Sequence, residues 1–231
     1  MLFRSTDVKN FERMGHLESQ LMPGGDMATK YPARMLASIL KDEYLIKNYS
    51  DQFKYGETEI KNIFKQIDAG INVGATTSTG RVLDSMAVGL EICNERTYEG
   101  ECSMKLESCA YYSTNDLEIP FTIENNQLNT TEILREFVKL YQNGEKKADI
   151  ARAGQIAVAR GLSELAIQAA DKKKLNSIGA TGGVFYNEAI TDTVKNYIEN
   201  NEYEFIQHKN TCAGDGSVSL GQAIITKKRI V

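Results

Sequence analysis

Two short stretches in the last third of the chain carry the residues best suited to chemistry. In Thr181-Gly-Gly-Val-Phe-Tyr-Asn187, the pair Gly182 and Gly183 follows a strand predicted at residues 177–181 and precedes a helix opening near Asn187. In Thr211-Cys-Ala-Gly-Asp-Gly-Ser217, small residues again lead from a predicted strand, residues 203–207, into the final helix. A helix start leaves backbone N–H groups without intrahelical acceptors, and the lack of bulky side chains lets an anion reach them. One helix dipole contributes only about 0.3–1 kcal/mol, so useful affinity needs several such contacts. The pattern reads as one wall of a nucleotide cleft. Tight turns within an α/β domain explain the same glycines equally well.

A third polar stretch, Ala75-Thr-Thr-Ser-Thr-Gly-Arg-Val-Leu-Asp84, places hydroxyls at the start of a helix that carries Arg81 and Asp84 three residues apart. That spacing puts both on one helix face. The pair is either an exposed ion pair, worth about 0–1 kcal/mol, or a polar face beside the cleft.

Composition excludes several classes. The 231 residues carry a net charge of −4 and no basic stripe, so nothing in the charge points to nucleic acid. Lys172-Lys-Lys174 and Lys227-Lys-Arg229 read as solvated helix ends. No apolar run is long enough for a membrane span, and the first residues lack the apolar core of a signal peptide, so a cytoplasmic location is expected. Cys93, Cys102, Cys109 and Cys212 form no C-x-x-C pair and are expected as reduced thiols. His16 and His208, the two histidines, stand far apart with no metal-ligand spacing.

The elements that position these residues follow from periodicity. Residues 8–21 read as extended, with Phe11, Met14 and Leu17 as anchors. Leu21-Met-Pro-Gly-Gly-Asp26 breaks the chain; Asp26 is a candidate cap, and Pro32 suits the first turn of a helix carrying Met35, Leu36, Ile39 and Leu40. Ile60, Ile63, Phe64 and Ile67 mark a helix over residues 57–71. Tyr98-Glu-Gly-Glu101 starts another, and a short strand is expected at residues 117–123. Asn129 with Glu132 resembles a capping box. A long helix over residues 149–173 is rich in small residues, which lets it lie close against a sheet.

Together with Ala213-Gly-Asp-Gly-Ser-Val-Ser-Leu-Gly-Gln222, the paired-glycine stretch resembles the end of the hydrogenase-maturation carbamoyltransferases, the HypF family. Three further stretches agree in order: Met22-Pro-Gly-Gly-Asp26 with Pro32 and Arg34, Thr79-Gly-Arg-Val-Leu-Asp84, and Tyr98-Glu-Gly-Glu101. The domain type is similar to that of the tRNA threonylcarbamoyl transferases and, more distantly, the actin and sugar-kinase ATPases. The resemblance implies an α/β, ribonuclease-H-like half-domain with a helical insertion. Residues 1–27 would be an edge segment pairing with a missing first half, residues 28–112 a helical lobe, and residues 113–231 the α/β lobe. It implies that ATP, with Mg, and carbamoyl phosphate give a carbamoyl adenylate. The carbamoyl group then passes to the C-terminal cysteine of a HypE-type acceptor during nickel–iron hydrogenase maturation. Matched by motif, Gly182, Gly183, Asn187, Asp84 and Gly100 would hold the nucleotide, and Asp215 would bind a divalent metal.

The family's His-x-x-x-His pair is absent from this sequence. The resemblance therefore implies that a first-half polypeptide completes the metal site, with the chain inactive by itself, either as a product of a split gene or as a truncated piece. A non-catalytic nucleotide-binding or regulatory module is the alternative, as is an O-carbamoyltransferase acting on a small molecule.

Overall fold

The computed structural model describes residues 2–6 and 10–230. It opens with strands β1 (Leu2–Thr6), β2 (Phe11–Leu17) and β3 (Gln20–Pro23), then helices α1 (Asp26–Lys30), α2 (Ala33–Leu40), α3 (Glu43–Lys47) and α4 (Gly56–Ala69). Strand β4 (Val73–Thr76) leads into α5 (Thr79–Gly89) and, past a loop, α6 (Glu101–Ala110). Short strands β5 (Ile123–Glu124) and β6 (Gln127–Leu128) precede α7 (Thr130–Gln142) and α8 (Lys147–Lys173). Strand β7 (Ser177–Gly179), α9 (Glu188–Asn200), β8 (Glu204–Ile206) and α10 (Val218–Ile230) follow. The fold is mixed α/β, as the sequence predicts.

Compactness divides the chain into two units, each described separately. A helical unit gathers Leu17–Thr122 and Asn129–Ala157; a sheet unit gathers Met1–His16, Ile123–Leu128 and Val158–Val231. The segments expected from the resemblance run over residues 1–27, 28–112 and 113–231.

Helix α2 is the hub of the helical unit. All its residues except Arg34 are buried, and it packs against α4, α5, α7 and β3. Met35, Leu36, Ile39 and Leu40 are fully enclosed, as their spacing predicts, and each such side chain contributes about 1.5–3 kcal/mol. Strands β3 and β4 pair antiparallel from Gln20↔Thr76 to Pro23↔Val73, and the Ser38 hydroxyl donates to Leu21 O at 2.7 Å. Pairing and hydroxyl together fix the Met22-Pro-Gly-Gly turn against α2.

In the sheet unit the strand order is β1-β2-β6-β5. Antiparallel β5 and β6 are joined by Asn125 and Asn126, both at positive φ (52° and 60°), the conformation a two-residue hairpin turn requires. Strands β7 and β8 pair in parallel, Ser177↔Glu204 to Gly179↔Ile206, with α9 as the crossover between them. The small residues of α8 bring it close to a strand at Gly161, as expected, and to a helix rather than a sheet at Gly154. A Cβ at Gly161 would stand 2.5 Å from Leu128 of β6, and one at Gly154, in the helical unit, 2.6 Å from the Phe137 ring of α7.

Several expectations need correction. Within residues 8–21 the chain forms two strands with a break at Glu18 and Ser19, and Val8 lies outside the described residues. Met14 and Leu17 are buried, whereas Phe11 is 66% exposed. Gly25, not Asp26, is the N-cap residue of α1, and Pro32 sits one step before the first turn of α2. Residues 117–122 form no strand; Pro120 has no N–H to give to a ladder. Only half of the capping box forms. Asn129 Oδ1 accepts from Glu132 N at 2.9 Å, but the Glu132 carboxylate accepts from Thr122 Oγ1 at 2.5 Å, and Asn129 N donates to Thr122 O. Finally, Cys93 and Cys102 are joined by a disulfide where reduced thiols were expected. Their Cα atoms lie 5.3 Å apart, a separation set by the turn between them and invisible in the nine-residue spacing.

Gly154→Ala separates packing from propensity. Helix propensity alone favours alanine by about 1 kcal/mol, whereas overpacking against Phe137 costs about 1–3 kcal/mol. We expect a lower denaturation midpoint in urea; a higher one would show that the α7–α8 contact yields freely.

Candidate functional site

In the helical unit the polar stretch at the start of α5 encloses a buried charge cluster. Ser78 is the N-cap residue in an extended conformation (φ −80°, ψ 125°), but its side chain caps no N–H. Thr76 Oγ1 accepts from Ser78 N at 3.1 Å and shapes the turn. One turn on, Arg81 Nη2 lies 2.7 Å from Asp84 Oδ2. The Asp84 side chain has no solvent exposure and that of Arg81 only 14%, so the exposed-pair reading is corrected: the pair is internal. Ser103 of α6 donates to Asp84 Oδ1 at 2.8 Å. Arg96, from the α5–α6 loop, brings Nη1 to 3.6 Å from Asp84 Oδ2, with its side chain 9% exposed.

The electrostatics follow from burial. Desolvation pushes the Asp84 carboxyl up, against the downward pull of Arg81, the Ser103 hydrogen bond and Arg96. Desolvation likewise pushes the Arg81 guanidinium down; Asp84 raises it and Arg96 lowers it. Arg81 Nη1 and Arg96 Nε and Nη1 are buried without hydrogen-bond acceptors.

The α5–α6 loop is held at several points. Arg96 N donates to Lys30 O at 2.8 Å, and the Cys93–Cys102 disulfide closes its base. Gly100, the N-cap residue of α6, sits at φ 79°, the left-handed region that glycine tolerates without strain. Glu101 accepts from Thr97 N (2.6 Å), Thr97 Oγ1 (2.8 Å) and Lys105 Nζ (2.8 Å). These donors, Lys105 first, hold its carboxyl down to about 2. A cavity of about 520 Å³ opens over α5, with Thr76, Ser78, Arg81 and Arg96 among its walls. Asp84 is thus committed within the protein, beneath the arginines that line the cavity.

In the sheet unit the two glycine loops are stitched together. Gly182 N donates to Ala213 O at 2.6 Å, Thr181 Oγ1 donates to the same carbonyl at 3.2 Å, and Gly214 N donates to Tyr186 Oη at 3.1 Å. His208 bridges Thr181 and Thr211 through its two ring nitrogens, at 2.9 and 2.8 Å. Gly182 has φ 111°, and a Cβ at Gly182 or Gly183 would meet nothing within 4 Å. That side of the loop is open. Gly183 begins a 3₁₀ turn (Gly183–Tyr186), and Asn187 then caps α9, its Oδ1 accepting from Ile190 N at 2.9 Å. Asn187 is buried. Asp215 is exposed at the start of another 3₁₀ turn (Asp215–Ser217) ahead of α10.

The structure therefore brings Gly182, Gly183 and the Asp215 loop together in one unit and places Asp84 and Gly100 in the other. Among the described residues no group of three or more His, Cys, Asp or Glu side chains is placed to hold a metal ion. One exposed carboxylate does not make a site for an ion that normally takes three or four protein ligands, so this chain's residues alone do not fit a metal. Arg96, Ser103 and Tyr186 escaped sequence reasoning because their partners lie 12, 19 and 28 positions away, beyond any helical or strand period.

Two measurements test the helical cluster. Asp84→Ala leaves two buried guanidiniums without a counter-charge and is expected to destabilise by about 3–5 kcal/mol, read by urea denaturation. For Glu101 the folded value lies below the ordinary 4.5. Its stabilisation is fully present above about pH 4.5 and disappears as pH falls toward 2. The stability advantage of wild type over Glu101→Gln should shrink across that window; an advantage flat with pH would contradict the assignment.

Comparison with known proteins gives a consistent answer. The family model for the carbamoyltransferase Kae1-like domain, second subdomain, matches residues 3–222. A probable carbamoyltransferase HypF of Methanocaldococcus jannaschii is 42% identical over 219 residues, covering 92% of this chain and 28% of that protein. The carbamoyltransferase HypF of Rhodobacter capsulatus is 26% identical, with 97% of this chain and 29% of that one covered. The crystal structure of T. kodakarensis HypF superimposes with a TM-score of 0.88 at 31% identity, over 96% of this chain and 31% of that one. A full-length HypF in its phosphate- and nucleotide-bound form gives 0.91 at 26% identity, over 99% and 30%. The chain thus spans under a third of the length of these relatives, and by sequence and fold alike it belongs to the HypF carbamoyltransferase family, as the second subdomain of the Kae1-like domain.

Proposed function

We propose that this chain supplies one wall of an ATP-dependent carbamoyltransferase centre that a first-half polypeptide completes. The observation that carries the reading is the stitched pair of loops: Gly182 and Gly183 present an open backbone, and the bonds through Ala213 and Tyr186 hold Asp215 beside it, exposed. Open backbone suits the approach of nucleotide phosphates, and a relative has been solved with phosphate and nucleotide bound. Carbamoyl phosphate, water and ATP with Mg would yield a carbamoyl adenylate with release of inorganic phosphate and pyrophosphate, and a HypE-type C-terminal cysteine thiol would then take the carbamoyl group, releasing AMP and its proton. Asp215 would contribute one ligand to a divalent ion, the histidines coming from the other polypeptide. Such an ion supplies charge stabilisation at phosphate oxygens.

Exposed apolar surface supports a missing partner. Val218, Leu220, Ile224 and Ile225 of α10 are exposed, each by 40% or more, Val218 and Ile225 on one side of the helix and Leu220 and Ile224 on the other, and so much bare apolar surface on one helix suits a covering partner. The absence of a three-donor metal group among the described residues favours a second reading, a nucleotide-binding module without turnover.

Carbamoyl-phosphate-dependent ATP–pyrophosphate exchange decides between them. The chain alone should show none, and mixing with a first-half polypeptide carrying the histidine pair should restore it. Asp215→Ala in the assembled pair should lower the rate by at least about 100-fold. Unchanged exchange would remove Asp215 from the metal site, and no exchange from a well-formed complex would favour the non-catalytic module.

A further inference from the structure

A disulfide stands under a surface loop of the helical unit. Cys93 and Cys102 are joined across nine positions, with Cα atoms 5.3 Å apart. Between them Asn94, Glu95, Thr97, Tyr98 and Glu99 are exposed, whereas the two cysteines are only 5% and 0% exposed. Segments with exposed side chains and little apolar burial open locally, at a small fraction of the cost of global unfolding. Such an opening brings solution thiols to the bond while the helices beneath stay folded.

The fold accommodates the dithiol as well as the disulfide. Cys93 Sγ lies 3.5 Å from Glu95 O, and Cys102 Sγ lies 3.7 Å from Cys93 O. Each thiol hydrogen formed on reduction therefore has a carbonyl acceptor, and no buried donor is left unmet. The anchors on either side persist without the bond. Cys102 is fully buried in the first turn of α6, which packs on α5, and Cys93 follows the end of α5. The pair thus stays within bonding separation. The loop itself keeps Arg96 N on Lys30 O and Thr97 on the Glu101 carboxylate. What reduction removes is the restraint on how often those bonds open. Cross-linking a loop of about ten residues contributes on the order of a hundredfold to its closure.

We propose that Cys93 and Cys102 are a reversible thiol–disulfide switch that sets how firmly residues 94–101 are held, with a dithiol as the reductant. A thiolate of the dithiol attacks Cys93 Sγ, the more exposed sulfur. The S–S bond breaks, and Cys102 leaves as a thiolate that takes a proton from water. The second sulfur of the dithiol, as thiolate, then displaces Cys93 from the mixed disulfide. Two electrons and two protons have passed to the protein, and the dithiol has closed into its own disulfide. The reverse exchange restores the bond. Asp84 and Gly100, matched by motif to nucleotide holding, border this loop. A consequence for carbamoyl transfer therefore rests on the proposed function, whereas the order of the loop does not.

The full chain, oxidised or treated with dithiothreitol without denaturant, tests the switch by alkylation mass spectrometry and backbone hydrogen exchange. After reduction Cys93 and Cys102 should become alkylated together, and after re-oxidation both should be protected again. Cys109 and Cys212, free in the oxidised chain, serve as the reference. Far-UV circular dichroism should stay unchanged. In the reduced chain the amides of Arg96 and Thr97 should exchange at least about tenfold faster, with those of α2 unaltered. A Cys93→Ser, Cys102→Ser double variant should show the fast exchange with or without reductant. Equal exchange in the two states overturns the proposal, as does a folded double variant that exchanges as slowly as the oxidised chain. Four free thiols after oxidation overturn it too. A bond that resists dithiothreitol until the whole chain unfolds, or a reduced chain that loses its circular dichroism signal, makes the disulfide a fixed staple and overturns the switch. Should the double variant fail to fold, the comparison of the two wild-type states decides alone.

Discussion

A carboxylate with no access to water organises the helical unit. Asp84 ties together its own helix through Arg81, the neighbouring helix through Ser103 and the intervening loop through Arg96. An ion taken out of water forfeits several kcal/mol of hydration, and here a short ion pair and a hydroxyl donor offset part of that loss. The arrangement is directional, since each partner approaches a defined oxygen. An apolar residue in the same place would pack without fixing where the two guanidiniums point. The charge cluster therefore does more for the position of the cavity floor than for net stability.

The sheet unit solves a different problem by different means. Its two loops are joined both through backbone groups, Gly182 to Ala213, and through side chains, Gly214 to the Tyr186 hydroxyl and Thr181 to Thr211 by way of His208. A Cβ at Gly214 would lie 2.7 Å from the Tyr186 ring, so that contact depends on a residue without one. Family membership follows from agreement along nearly the whole chain in sequence and in fold.

Much of this was legible in the sequence, because the governing interactions repeat at short intervals. The α2 stripe, the Asn129 cap and the close approach of α8 to a strand at Gly161 are local signals, and each takes its expected place. Failures came where one long-range contact decides. Phe11 carries an apolar side chain in a strand yet faces outward. Glu132 has the right spacing for a reciprocal cap but is drawn to Thr122. Arg81 and Asp84 were legible as a pair, whereas their burial was not, because Arg96 and Ser103 arrive from residues with no periodic relation to them. The disulfide was hidden for the same reason: the fold, not the spacing, brings its cysteines together.

The path of the chain between its two units carries one more implication. It crosses from one to the other after His16, Thr122, Leu128 and Ala157. Neither unit is therefore a cassette that recombination can lift out with a single pair of breakpoints. On the ribosome the helical unit cannot close until Ala157 has emerged, long after most of its helices are available, so its assembly waits on a distant strand of the message. Gene fission or fusion preserves both units only by moving this whole stretch as one block.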